Sequence, residues 1–260
     1  MITVKSDREI ELMRIAGNIV YKTHQYLKDY LKPGITTQEI DDLADKYIRS
    51  LDATPSCKGY EGYPAAICIS VNDEVVHGIP DKHRYLEDGD IVSLDTGVVT
   101  LDICACYKGY HGDSAWSYAI GEIDEEKAHL MEHTEKSLYV GLEQVKPGNR
   151  IGDIGYAISK YAEANGLGVV RELCGHGIGT NLHEDPDVPN YGIPNTGIRL
   201  REGMTIAVEP MLTAKSPRVE LLDDDWTVVT MDGHPAAHFE HTVVVTADGY
   251  EILTGEWKDG

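Results

Sequence analysis

Four carboxylates and two histidines stand in strand-like or glycine-rich stretches where an apolar core is expected. Asp113 lies in "KGYHGDSAWSYAI", His176 and His183 in "ELCGHGIGTNLHEDP", Glu209 in "GMTIAVEPM" and Glu240 in "AAHFEHTVVVT". The fourth carboxylate is Asp95, in "GDIVSLDTG". Burying that much negative charge is costly unless cations or strong hydrogen bonds compensate it. Asp95, Asp113, Glu209 and Glu240 with His176 suit hard or borderline divalent metals such as manganese, iron, cobalt or zinc. They exceed what one ion needs unless some of them bridge two. A two-metal site clamps a water, lowers its pKa to about 7 and delivers hydroxide to a carbonyl or phosphoryl group.

The stretch around Asp95 is written twice. "IVSLDTG" at 91–97 is followed by "VVTLDIC" at 98–104, so Asp102 repeats Asp95. Hairpin geometry favours Asp102, which a tight turn at Lys108-Gly109 would set opposite Asp113. Internal symmetry favours Asp95, as shown next. Insertions are tolerated best at hairpin tips. The expected ligand is therefore Asp95, with a longer hairpin over 96–112, its tip near residue 104 and Asp102 near its exposed end.

The elements that must position these groups recur. Ser6 with Glu9 and Thr36 with Glu39 form capping boxes ahead of helical patterns, and Pro33-Gly34 separates the two. "LKPGITTQEIDDLADKYI" (31–48) resembles "VKPGNRIGDIGYAISKYA" (145–162), and "LEDGDIVSLDTG" (86–97) resembles "LREGMTIAVEPM" (200–211). Both pairs share one offset of 114 positions, which lays Asp95 over Glu209. The expectation is one catalytic domain built by duplication, with halves near 1–123 and 124–260. Each half contributes helices and antiparallel strands about a pseudo-twofold axis.

Composition bounds the function. The chain has 260 residues and a formal net charge of -21. That charge argues against nucleic acid or an anionic membrane as partner. No apolar run approaches a membrane span, and no signal-peptide pattern opens the sequence. Five scattered cysteines without finger spacing point to free thiols in a reducing cytoplasm. "CAC" at 104–106 reads as half-buried strand residues.

"GYEGYPAAICISVNDEVVHGIP", "GDIVSLD", "GYHGDSAW", "CGHGIGTNLHEDP", "GMTIAVEPM" and "HFEHTVVVT", in this order, resemble the type I methionine aminopeptidases. The resemblance implies an α+β pita-bread fold and removal of N-terminal methionine from nascent chains and peptides with a small second residue. It implies two divalent ions (cobalt, manganese, iron or zinc) held by Asp95, Asp113, His176, Glu209 and Glu240, with Asp113 and Glu240 bridging. Glu209 would also move protons, His183 would contact the scissile carbonyl, and His77 would sit near the scissile amide nitrogen. His241 would orient a ligand. Cys57, Tyr60, Tyr63, Cys68 and Trp226 would line the methionine pocket. Leu182 stands where phenylalanine is common in the bacterial enzymes, which loosens one wall. A monomer acting in the cytoplasm, with the ribosome as a meeting place for nascent chains, completes the picture. Two alternatives compete with this reading: a proline-specific peptidase of the same fold, which would carry a further N-terminal domain, and an inactive binding protein, which would have lost ligands.

Overall fold

The computed structural model describes residues 2–87 and 97–256. Four helices carry the repeat. They are α1 (Asp7–Lys28), α2 (Thr37–Ser50), α3 (Glu125–Leu142) and α4 (Ile151–Ala164). The capping boxes are real. Ser6 N–H donates to Glu9 Oε2 at 2.8 Å, and Thr36 N–H donates to Glu39 Oε2 at 2.9 Å while Glu39 N–H donates to Thr36 Oγ1. At α4 the same position is Arg150, whose N–H donates to Asp153 Oδ2 at 2.7 Å. Helices α2 and α4 have 14 residues each and begin 114 positions apart. The isolated bridges Thr36↔Tyr85 and Arg150↔Arg199 also match at that offset in both partners. The offset of 114 read from the sequence is thus kept by α2, α4 and these two bridges.

Two sheets meet between the helix pairs. In the first, strand Val98–Tyr107 pairs with Tyr110–Ala119 on one side and with Thr54–Pro55 and Cys68–Val71 on the other. The second runs Tyr250–Ile252, His241–Val245, Thr205–Val208, Cys174–Gly177, Glu184–Pro189, all antiparallel. Two three-stranded sheets cover the edges. Alternation divides each strand between core and site. Val99, Leu101 and Ile103 are fully buried against Val20, Ile40 and Ile69. The intervening Asp102 and Cys104 face the other way. In the second half Ile206, Val208 and Val243 pack with Ile154 and Ile158 of α4. The architecture is α+β, as expected.

The hairpin corrects one expectation. The ladder from Val98↔Ala119 to Tyr107↔Tyr110 is unbroken, and it turns at Lys108 and Gly109, with φ of 49° and 85°. A two-residue turn needs positive φ at both positions, which Lys108-Gly109 supplies through its glycine and the sequence near residue 104 does not. The tip is therefore not near 104. Asp102 is not at an exposed end: it lies mid-strand, opposite Ala115 on one side and Cys68 on the other. The competing register would also place Thr96 where Ile103 fills the core. Asp95 itself lies outside the described residues.

Helix α1 presses directly on the second arm of this hairpin. A Cβ on Gly112 would stand 2.7 Å from the backbone nitrogen of Gly17, so two glycines meet beside Asp113. Two turns further along α1, His24 is buried and bridges the same arm. Its Nε2 lies 3.0 Å from the Ser114 carbonyl and its Nδ1 3.1 Å from Tyr118 Oη. Nε2–H donates to the carbonyl and Nδ1 accepts from the phenol, which makes a neutral ring. Burial pushes its pKa down to about 3. The unfolded chain therefore binds a proton at His24 between pH about 6.5 and the folded value, and the native state does not. The stability His24 contributes is present above pH about 6.5 and is lost as pH falls below it, by roughly 1 kcal/mol per pH unit. Urea unfolding of the parent and His24→Gln, both metal-loaded, checks this. The parent's advantage should shrink steadily from pH 7 to 5, whereas a constant difference would mean that the ring is not kept neutral.

Candidate metal centre

The site forms where the two sheets face each other. Asp102 and Asp113 come from the two arms of the first hairpin. His176 comes from strand Cys174–Gly177, Glu209 from the residue after Thr205–Val208, and Glu240 from the residue before His241–Val245. All five line one cavity of 250 Å³. Asp113, His176 and Glu240 each offer a ligand atom within 4.8 Å of the others. Bonds between the two sheets fix the acids. Asp113 N–H donates to Thr242 Oγ1 at 3.0 Å, Thr242 returns its hydroxyl to the Asp113 carbonyl at 2.8 Å, and Glu240 N–H donates to the Ala115 carbonyl. The hairpin arm Tyr110–Ala119 and the segment around His241–Val245 are thus tied together at the acids.

The donor set fits divalent cations. His176 Nδ1–H donates to the Gly177 carbonyl at 2.8 Å, which leaves the Nε2 lone pair aimed at the acids. Nε2 stands 3.6 Å from Glu209 Oε1 and 3.8 Å from Asp113 Oδ2, too far for hydrogen bonds and near the spacing of two donors on one ion. Burial holds His176 neutral, with its pKa pushed down to about 4. Glu240 Oε1 is buried and lacks any hydrogen-bond partner. Burial, then the neighbouring acids, pushes Glu209 and Glu240 well above the usual carboxylate range, and burial followed by Asp113 does the same to Asp102. A cation removes both penalties.

A second cavity of 370 Å³ opens from the same place and shares His77, Asp102, Asp113 and His183 with the first. The six residues expected around a methionine side chain, Cys57, Tyr60, Tyr63, Cys68, Leu182 and Trp226, all line it. Tyr63 and Trp226 meet edge to face at 5.1 Å, and the Tyr63 hydroxyl donates to the Gly78 carbonyl at 2.8 Å. His77 adopts φ 59°, a strained conformation for a non-glycine residue, between a core strand and Gly78. Its ring reaches Trp226 at 6.3 Å. Burial, reinforced by His183, lowers its pKa. His183 is exposed, packs on His176 with centroids 4.1 Å apart, and sits 2.7 Å from Tyr60 Oη through Nδ1. That contact leaves Nε2 free.

Asp102, which the sequence weighs against Asp95 and sets near a hairpin tip, joins this site, and two further residues there have no role legible in the sequence. Cys104 was read only as a strand residue, yet its sulfur is 2.9 Å from Asp113 Oδ1. His238 was not singled out, yet it is buried with both ring nitrogens unpartnered, and Nε2 is 3.8 Å from Glu209 Oε2 and 3.9 Å from Glu240 Oε2. The available signal was spacing by two from a ligand in an extended segment, Asp102 to Cys104 and His238 to Glu240. His241, expected to steady a ligand, donates or accepts at Nδ1 with Thr254 Oγ1 at 2.9 Å, and its ring packs on Trp116.

Clustered acids, an imidazole and an adjoining apolar pocket on a twice-written fold define a metal-dependent peptidase, and the chain belongs to metallopeptidase family M24, which it matches over residues 11–247. Its relatives are specific. It is 52% identical over 254 residues to methionine aminopeptidase 1 of Bacillus subtilis, covering 98% of this chain and 99% of that one. It is 42% identical over 254 residues to the methionine aminopeptidase of Escherichia coli, covering 97% and 94%. The crystal structure of methionine aminopeptidase from Thermotoga maritima superposes with a TM-score of 0.94 at 42% identity, covering 98% of this chain and all of that one. A Xaa-Pro dipeptidase from Bacillus anthracis shares the fold alone, with a TM-score of 0.76 at 23% identity. The fold is the pita-bread fold expected from the sequence.

Proposed function

We propose that this chain is a metal-dependent aminopeptidase that removes N-terminal methionine from peptides and nascent proteins with a small second residue. The observation that carries it is the junction of the two cavities: the 370 Å³ pocket walled by Tyr63, Cys68, Leu182 and Trp226 opens directly onto the acid cluster. Asp102, Asp113, His176, Glu209 and Glu240 are the residues that would hold divalent ions, with Asp102 in place of Asp95. Cobalt, manganese, iron and zinc all suit these donors. When bound, the ions supply Lewis acidity and positive charge.

The remaining steps belong to side chains. Tyr63 and Trp226 take the thioether, for which sulfur–aromatic contact contributes roughly 0.3–1.5 kcal/mol. Glu209, whose carboxyl is pushed up by burial, accepts a proton and passes it to the leaving amine. His183 donates from Nε2 to the scissile carbonyl oxygen as negative charge grows there, its ring set by Tyr60. His77 steadies the scissile amide nitrogen. Leu182, buried at the pocket wall, sets how loosely methionine is held. The chain acts as one catalytic unit, as a monomer in the cytoplasm, and meets nascent chains near the ribosome. No described helix is long and apolar enough to cross a membrane.

The test is a peptide panel with methionine or leucine first and glycine, alanine, leucine or proline second. Release of methionine from the glycine- and alanine-second peptides, with no release of leucine from the leucine-first counterparts and little from the leucine-second peptide, supports the reading. Cleavage ahead of proline irrespective of the first residue would replace it with a proline-directed peptidase. His183→Ala should lower kcat by about 100-fold or more, the size expected for loss of an oxyanion donor. Its metal content, measured by elemental analysis, should be unchanged. Metal loss would make His183 a ligand.

A further inference from the structure

Cys104 sits between the two cavities. It follows Asp102 by two residues on one strand, so both side chains project to the same face, and it pairs directly with Asp113 across the hairpin. Asp102, Cys104 and Asp113 each present a donor atom within 4.8 Å of the other two. The sulfur is 2.9 Å from Asp113 Oδ1 and 3.9 Å from Asp102 Oδ1. With metal–oxygen bonds of about 2.1 Å and a metal–sulfur bond of about 2.3 Å, oxygen and sulfur on one ion stand about 3.1 Å apart at a right angle and about 3.6 Å apart at a tetrahedral angle. The two observed distances bracket those values. Glu240 Oε1, buried and unpartnered, marks the same centre as one that awaits cations.

A sulfur donor also needs support behind it. Cys57 provides this: its Sγ–H is directed at Cys104 Sγ at 3.1 Å, and both sulfurs are buried. A ligand sulfur with a hydrogen-bond donor behind it is the usual arrangement of a metal's surroundings.

We propose that Cys104 is a sulfur ligand of the ion held by Asp102 and Asp113, and that it biases this centre toward thiophilic cations such as zinc and cobalt over manganese. The inference rests on the reading above that these acids hold metal. On binding, a metal–sulfur bond forms and the thiol proton leaves to solvent. The carboxylates and imidazole alone form an oxygen-rich set that favours no soft metal; one thiolate changes that preference.

X-ray absorption at the zinc edge tests it on the full chain loaded with zinc under reducing conditions. The parent should show a sulfur neighbour at about 2.3 Å beside oxygen and nitrogen at about 2.0–2.1 Å. Cys104→Ser should lose the sulfur and keep the lighter neighbours, whereas Cys57→Ser should keep the sulfur. In competition, Cys104→Ser should shift the zinc-over-manganese preference toward manganese by about tenfold or more. A parent spectrum with only oxygen and nitrogen overturns the proposal whether or not the variants fold. So does a sulfur that persists in Cys104→Ser. A parent that retains no zinc at all fails the metal reading itself, which is a separate outcome.

Discussion

Asp102→Asn should reduce kcat/KM by at least about 100-fold, more than is typical of losing a residue that only supports a ligand. Asp95→Asn should stay within a few-fold of the parent. The sequence alone pointed the other way, because Asp95 falls over Glu209 at the offset that aligns the helices. The offset is obeyed by α2 and α4 and by the bridges that flank them. It does not extend to the site, where Asp102, seven positions beyond Asp95, lines the acid cavity together with Glu209. Glu209 leads out of strand Thr205–Val208, the partner of His241–Val245, as Asp102 lies in the partner of Tyr110–Ala119. Steady-state kinetics on both variants, with metal content measured alongside, decides the matter. An inert Asp102→Asn substitution and an inactive Asp95→Asn enzyme would restore the symmetric assignment.

Chelation should abolish methionine release, and added manganese or cobalt should restore it. A stability change must accompany the loss. Burial, with mutual repulsion added, raises the carboxyls of Asp102, Glu209 and Glu240 above their unfolded values when no cation is present. A group raised in this way contributes stability below its unfolded pKa, about 4, and loses it as pH rises through the folded value. The metal-free protein should thus be weaker at pH 8 than at pH 5 on this account, and metal should stabilise most at pH 8. At a free-metal concentration 100 times Kd the gain is about 2.7 kcal/mol, or roughly 5–10 °C in Tm for a chain of this size. Calorimetry with and without chelator at both pH values checks it. Full turnover in the chelated protein, or a Tm indifferent to metal, would contradict the centre described here.

The sequence by itself determined most of the chemistry. Six ordered motifs carried the family resemblance, and His176, Glu209, Glu240 and Asp113 were legible as donors because an acid or imidazole interrupts a strand-forming run. The four helices were legible from capping residues and apolar spacing, and the repeat from one shared offset. These are local or linear signals. Tertiary structure decided which of two identical Leu-Asp phrases faces Asp113, because register depends on three hydrogen-bonded neighbours and on where positive φ is cheap. That turned on Lys108-Gly109 and on Ile103 filling the core. It also decided the value of residues with no distinctive spacing of their own. His24, Cys104 and His238 read as ordinary strand or helix positions until packing removed water from them. Burial then required each to find a partner, and where no side chain supplies one, as at His238 and Glu240, it left polar atoms pointing at the place where a cation belongs.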